Sequence, residues 1–296
     1  MIDVGAIGRS VGPVEESWST RDCLLYALGV GAGSADATDE LDLTTECSEG
    51  ALLQVLPTYA VVIAARLRQI YAQLGELDFT KIVHGSQEVQ LQATLPPDGF
   101  VLVTTEVAGL HDKGSDALIE LATRGVEPET GKPVFRSVST LFVKGAGGWG
   151  GGRGPAGPEA VPSREPDLVI PMATRRDQAL VYRLSGDLNP LHADPAFARR
   201  AGFDVPILHG LCTYGFTGRA LVHSLCDSDT SRFHGMSARF SRPVVPGDRL
   251  DVHLWVEGDG VARFQTVNHR SEVVLDRGTC TYGEPLPSAA GRRATL

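Results

Sequence analysis

Cysteine is scarce: the chain has five, at positions 23, 47, 212, 226 and 280, with no C-x-x-C pair and an odd total. That excludes a disulfide framework and a thiolate zinc site and points to a reducing compartment. Positive charge is also short, with 27 Lys and Arg against 36 Asp and Glu and a formal charge of -9. No basic face exists for a nucleic acid backbone to follow, so a phosphate on any ligand must be held by a few local cations. Long apolar runs are missing too. The most apolar stretch, Leu52 to Leu67, is broken by Gln54, Pro57, Thr58 and Arg66 and is too short to span a bilayer. The opening MIDVGAIGRS lacks a signal-peptide pattern, and the closing Ala294, Thr295 and Leu296 are not a peroxisomal address. The expectation is a soluble cytoplasmic protein with no nucleic acid or membrane partner. Its 296 residues, 42% of them hydrophobic, are enough to fill a core and exclude disorder.

Glycine and proline concentrate between Gly145 and Pro166, where GAGGWGGGRGPAGPEAVPSREP has almost no apolar pattern and cannot offset its own ordering entropy. Residues 145–166 are therefore expected to link an N-terminal unit, 1–144, to a C-terminal unit, 167–296. Gly145, Gly147 and Gly150 have G-x-G-x-x-G spacing, but no helix follows to offer a dipole end to a pyrophosphate, which speaks against a dinucleotide site.

The flanking halves resemble each other. Thr20-Arg21-Asp22 before Tyr26-Ala27-Leu28 is matched by Thr174-Arg175-Arg176-Asp177 before Tyr182-Arg183-Leu184. Each half continues with an irregular loop, a long helical stretch (57–74 and 211–225) and four strand-like segments. Those segments are 86–94, 100–110, 116–124 and 134–143, then 233–240, 249–256, 261–269 and 272–282. Self-similarity at half the chain length indicates a duplicated α+β unit, a sheet curled around one helix. Gly215 and Gly218 within the second helix predict a close backbone approach on that side.

Chemistry concentrates in YRLSGDLNPLHADPAFARRAGFDVPILHGLCTYGFTGRAL, residues 182–221. Ser185-Gly186-Asp187 is turn chemistry, and Asn189 before Pro190 is pushed from the helical region, so Asp187 to His192 forms a loop in which both side chains can converge. Asp194 reads as an N-cap, Pro195 as a first helical position and Gly202 as a C-terminal stop. Gly210 falls at the start of the second long helix, where an unpaired amide and the positive dipole end favour a developing oxyanion. A carboxylate, an imidazole and an oxyanion donor suit addition of water across a double bond conjugated to a thioester.

The string from Gly186 to Asp194, with Ala201-Gly202-Phe203 and Pro206 to Leu211, resembles the hydratase 2 motif of the MaoC-like family, and the likeness extends to two-repeat members over the whole chain. That resemblance implies a double hot dog fold and an (R)-specific enoyl-CoA hydratase or 3-hydroxyacyl-thioester dehydratase, with coenzyme A entering as part of the substrate and no separate cofactor. It implies that Asp187 and His192 are the catalytic pair, that Asn189 orients the water and that the Gly210 amide binds the thioester oxygen. Val83-His84-Gly85-Ser86-Gln87 resembles an HGEQ-like segment with Ser86 in place of Glu, so His84 and Gly85 would line the coenzyme A path. Lys113 in HDKGSD matches a coenzyme-contacting lysine, and Phe240 in ARFSRPV a residue beside the thioester. Pairing Tyr26 with Tyr182 sets Gly31 opposite Asp187 and Asp36 opposite His192, so the first half lacks the pair and is expected to serve acyl and coenzyme binding. The family also suggests a homodimer.

Blander readings stand beside these. Asn189 can simply shape its turn, Lys113 can be a solvated hairpin lysine, and His209 reads as a hydrogen-bonding residue ahead of the helix. His111, His223, His234, His253 and His269 show no mutual ligand spacing, which speaks against a metal site. Rival activities are a carrier-protein-dependent dehydratase, a thioesterase and a non-catalytic acyl-CoA-binding subunit.

Overall fold

The fold is described from a computed structural model, over residues 2–66, 68–155 and 157–291. The C-terminal residues 294–296, read above for a targeting signal, lie outside the described residues. Ten strands form one sheet: β1 (Ser10–Trp18), β2 (Ile82–Leu91), β3 (Gly99–Asp112), β4 (Ala117–Val126), β5 (Pro133–Val143), β6 (Leu168–Ala173), β7 (Phe233–Phe240), β8 (Arg249–Gly258), β9 (Val261–Asn268) and β10 (Val273–Tyr282). Their order is β1-β3-β4-β5-β2-β7-β10-β9-β8-β6, which reads the same from either end once the second half's strands are matched to the first's. The halves join through antiparallel β2 and β7, where Glu88 faces Ser237. Strict alternation of buried and part-exposed residues along β4 and β9 shows that one sheet face packs on the core. This is the expected double hot dog.

The buried face wraps the helices α1 (Thr20–Gly29), α2 (Leu41–Thr44), α3 (Tyr59–Ala64), α4 (Gln178–Tyr182), α5 (Pro195–Arg200) and α6 (Gly210–Leu225). α6 is the long central helix, and its two inner glycines are closely approached, though by side chains and not by the backbone expected. A Cβ on Gly215 would stand 2.4 Å from Val30 Cγ1, and one on Gly218 the same distance from Thr58 Cγ2. The helical stretch expected over 57–74 is different: it is the short α3 followed by a 3-10 turn, Arg68–Leu74. Val61, Val62 and Ile63 are β-branched neighbours that weaken a helix, and Arg66 bonds away from the helix to the Ser17 carbonyl at 2.8 Å.

β1 and β6 are not among the eight expected strands, and each contains a proline, Pro13 and Pro171. Both are sheet edges, where a missing N–H is tolerated, and β1 has a register shift between Val11 and Val14 around its proline. The described residues of the 145–166 run contain neither helix nor strand. Its amides turn toward the chain's own Asp112, whose carboxylate accepts hydrogen bonds from Gly148 at 3.1 Å, Gly150 at 2.7 Å and Gly114 at 2.8 Å.

Candidate active site

Local turn chemistry builds the loop before α5. Gly186 has φ 125, a conformation open to glycine, and swings the chain out of the 3-10 turn Arg183–Ser185. The Asp187 carboxylate then accepts the Asn189 N–H at 3.2 Å, and the Asn189 side-chain oxygen accepts the Leu191 N–H at 3.1 Å, starting the 3-10 turn Pro190–His192. Asn189 therefore does shape its turn, which leaves its amide nitrogen as the group available to a ligand. Asp194 caps α5 by accepting the Ala196 N–H at 2.7 Å.

His192 is turned inward and only 8% exposed. Its Nδ1 lies 2.8 Å from the Ile207 carbonyl. A carbonyl only accepts, so the proton of the neutral ring is on Nδ1 and Nε2 presents a lone pair. Asp187, His192 and His209 each bring one potential ligand atom within 4.8 Å of the others. The two imidazoles stack face to face, centroids 3.7 Å apart and planes at 28°.

Across the site stand residues from both halves. His84 of β2 packs its ring 4.6 Å from that of Phe240 in β7. A register shift between His84 and Ser86 places Gly85 at an irregularity of β2, where a Cβ would meet Thr140 Oγ1 at 2.8 Å. Gly85 thus allows the bend that turns His84 toward the site. Gly210 opens α6, its amide being the first of the helix and without an intrahelical acceptor. A Cβ there would come within 3.1 Å of the Phe240 ring, so glycine is what lets amide, ring and ligand share the space. Asp187, His192, Gly210, His84 and Phe240 form one neighbourhood. Lys113 is outside it, on the β3–β4 hairpin with its ammonium bonded to the Arg153 carbonyl.

Buried polar atoms that lack a partner are rare in folded proteins. Among the described residues, His84 Nε2, Arg183 Nε, Ser185 Oγ and His209 Nδ1 are four such atoms, all in or facing the Asp187 loop. Burial lowers the pKa of His192 against the opposing pull of the Ile207 bond and the Asp187 charge, and lowers His84 to about 4. Both rings, like His209, are therefore held neutral. The sign follows: above the ordinary imidazole value of about 6.5 these groups contribute nothing to pH dependence, and below it the unfolded chain takes up protons that the folded one refuses. Stability should fall steadily from pH 6.5 toward 4, read as a declining urea midpoint. A flat midpoint over that interval would show that the rings are not buried as described.

The first half does not carry the pair at the matching positions. Gly31, opposite Asp187 in the repeat, has φ 81, and a Cβ there would sit 2.4 Å from the Phe216 ring. Asp36, opposite His192, spends its carboxylate on Thr38 at the surface.

The double hot dog places the chain in a class of proteins that the family comparisons then specify. The chain belongs to the MaoC-like family: residues 158–278 match the MaoC like domain and residues 17–145 the MFE-2 hydratase 2 N-terminal domain. It is 47% identical to 3-hydroxyacyl-thioester dehydratase Y of Mycobacterium tuberculosis, over 95% of this chain and 98% of that one. It is 40% identical to the enoyl-CoA hydratase ChsH3 of the same organism, over 92% and 96%. A solved MaoC-like dehydratase from Phytophthora capsici superposes with a TM-score of 0.85 at 32% identity, covering 95% of this chain and 98% of its own. The sequence reading missed the stacking of His209 on His192. The only signal for it was an imidazole just ahead of Gly210 in the same motif.

Proposed function

We propose that the chain is a hydro-lyase that reversibly interconverts trans-2-enoyl-CoA and (3R)-3-hydroxyacyl-CoA, with Asp187 and His192 as its acid–base pair. The observation that carries this reading is the Nδ1 bond to Ile207, which leaves a lone pair on Nε2 of a ring that brings a nitrogen within 4.8 Å of an Asp187 carboxylate oxygen. Two acceptors side by side hold one water by its two hydrogens. The water oxygen adds to the β carbon, one member of the pair takes the proton released, and the pair returns that proton to the α carbon. Between these events negative charge gathers on the thioester oxygen, where the Gly210 N–H donates to it. Asn189, through its amide nitrogen, orients the water. His84 and Phe240 flank the acyl thioester, and Gly85 keeps His84 turned inward.

The first half, 1–144, serves as the acyl- and coenzyme-binding half, and 167–296 performs the chemistry. Lys113 binds the coenzyme end. Ala117 pairs with Val143 and Val143 with Ile82, which brings the lysine hairpin to the sheet end from which His84 departs. Replacing Lys113 by Glu should raise KM for an enoyl-CoA roughly three- to tenfold at low salt with kcat unchanged, the effect shrinking as salt screens it. An unchanged KM would return Lys113 to solvent.

The deciding assay follows loss of the enoyl absorbance with short, medium and long trans-2-enoyl-CoA and with matched carrier-protein thioesters. Turnover on coenzyme A substrates supports the reading. Strong preference for the carrier makes the chain a carrier-dependent dehydratase, release of free thiol makes it a thioesterase, and saturable binding without turnover makes it a non-catalytic subunit. No helix among the described residues is long and apolar enough to cross a membrane. We place the enzyme in the cytoplasm, as fractionation would verify, and as a homodimer, which sedimentation at twice the chain mass would verify.

A further inference from the structure

His209 touches the Asp187 loop, the His192 ring and the start of α6 while doing none of the proposed chemistry. Its Nε2 lies 3.1 Å from the Asp187 carbonyl, which can only accept, so Nε2 carries the proton. Its ring stacks on His192. It also meets the Tyr182 ring, 4.9 Å away centroid to centroid and tilted by 51°. Its backbone is the N-cap of α6, immediately ahead of the Gly210 amide. The side chain is 1% exposed and its Nδ1 is buried without a partner.

We infer that His209 is a positioning residue, fixing the Asp187 loop, the face of His192 and the start of α6 in one register. This inference rests on the acid–base roles assigned above. Two functions are separable in the one side chain. The Nε2 bond anchors the loop that carries Asp187, and without it the Asp187 carbonyl would lose its donor and the loop its fixed distance from His192. The ring covers one face of His192 and keeps water from it, which keeps that imidazole neutral and its lone pair ready for a proton. The charge that acts on His192 besides His209 is Asp187; Arg183 acts on His209, and Tyr182 and His84, the latter from the first half, both feel Asp187. The His209 ring stacks on that of His192.

The test uses two replacements of similar size. His209→Gln puts an amide nitrogen where Nε2 was and removes the ring; His209→Phe keeps the ring and removes the donor. His192 titration is followed by NMR, which needs no substrate, alongside kcat and KM for an enoyl-CoA. In His209→Gln the His192 pKa should rise toward about 6.5, and the acid limb of kcat/KM should rise with it. In His209→Phe the pKa should stay within a few tenths of a unit. Both variants should lose at least tenfold in kcat with KM changed less than threefold. The inference is overturned if His192 titrates identically in the wild type and His209→Gln, or if kcat stays within twofold in both variants of an active enzyme. If His209→Phe does not fold, the titration of His209→Gln alone decides. A wild type inactive on every enoyl thioester would overturn the hydratase reading, while the NMR titration would still judge the placement of His209.

Discussion

Replacing Asp187 by Asn, or His192 by Gln, should lower kcat about 10²- to 10⁴-fold, the range that positioned acid–base groups supply, while melting temperature and coenzyme A binding stay close to wild type. Asparagine keeps the oxygen that accepts the Asn189 N–H, so the turn survives. It also brings an N–H donor up to the His192 lone pair, which ties down the base and leaves the water with one acceptor. Glutamine at 192 cannot cycle a proton at neutral pH. Because the two groups act on one water, their losses should not add, and the double variant should be scarcely slower than the worse single one. Single-turnover measurement with a saturating enoyl-CoA isolates the chemical step. If either single variant kept kcat within tenfold of wild type, the pair would not be the acid–base machinery.

The double hot dog and the turns of the candidate site were both legible in the sequence, and the reason is locality. Asp187, Asn189, His192, Asp194, Gly202 and Gly210 lie within one stretch of chain, and each has a turn, cap or helix-start chemistry that acts over a few residues. The eight expected strands appear within a few residues of their bounds for the same reason, since alternation is a local signal. Edge strands β1 and β6 were not among them; a proline is a local argument against a strand, and only their place in the sheet cancels it. The 57–74 stretch has an apolar content that suits a helix or any buried segment. Its break after Ala64 depends on Arg66 reaching the Ser17 carbonyl, a contact set by tertiary packing. Glu40 and Arg219 are 179 positions apart, so nothing in the order of residues announces that they meet.

That meeting supports the second large effect. Glu40 sits in a left-handed turn, φ 55, in the first-half loop that corresponds to the Asp187 segment of the second. Its carboxylate accepts two bonds at 2.6 Å from Arg219 of α6, one at 2.6 Å from His223 and one at 2.8 Å from the Gly33 amide. The Arg219 and Glu40 side chains are 9% and 15% exposed, so this is an ion pair out of water. Burial works to raise the Glu40 pKa, but His223 and Arg219 outweigh it and hold it at about 2. Glu40→Ala would leave the Arg219 charge buried with the Val30 carbonyl, at 3.2 Å, and the Phe216 ring, 5.7 Å to its centroid, but no counter-charge from Glu40. Breaking one side of such a pair destabilises by about 3–5 kcal/mol, equivalent to a drop of about 5–15 °C in Tm for a chain of this size. Replacing both partners, as Glu40→Leu with Arg219→Met, removes the stranded charge and should recover most of that loss, because the pair's own net worth is small once desolvation is counted. The sign with pH also follows: a carboxyl held below its ordinary value contributes above about 4.5, and that contribution disappears as pH falls through about 2. A Glu40→Ala protein melting within 2 °C of wild type would mean that water reaches the pair and that the loop is held to α6 by its apolar contacts, among them Gly31 against Phe216. The same helix begins at Gly210, so a loop that loosens here should also blunt turnover. The double replacement should restore both properties together if the ion pair acts on the site only through the seating of α6.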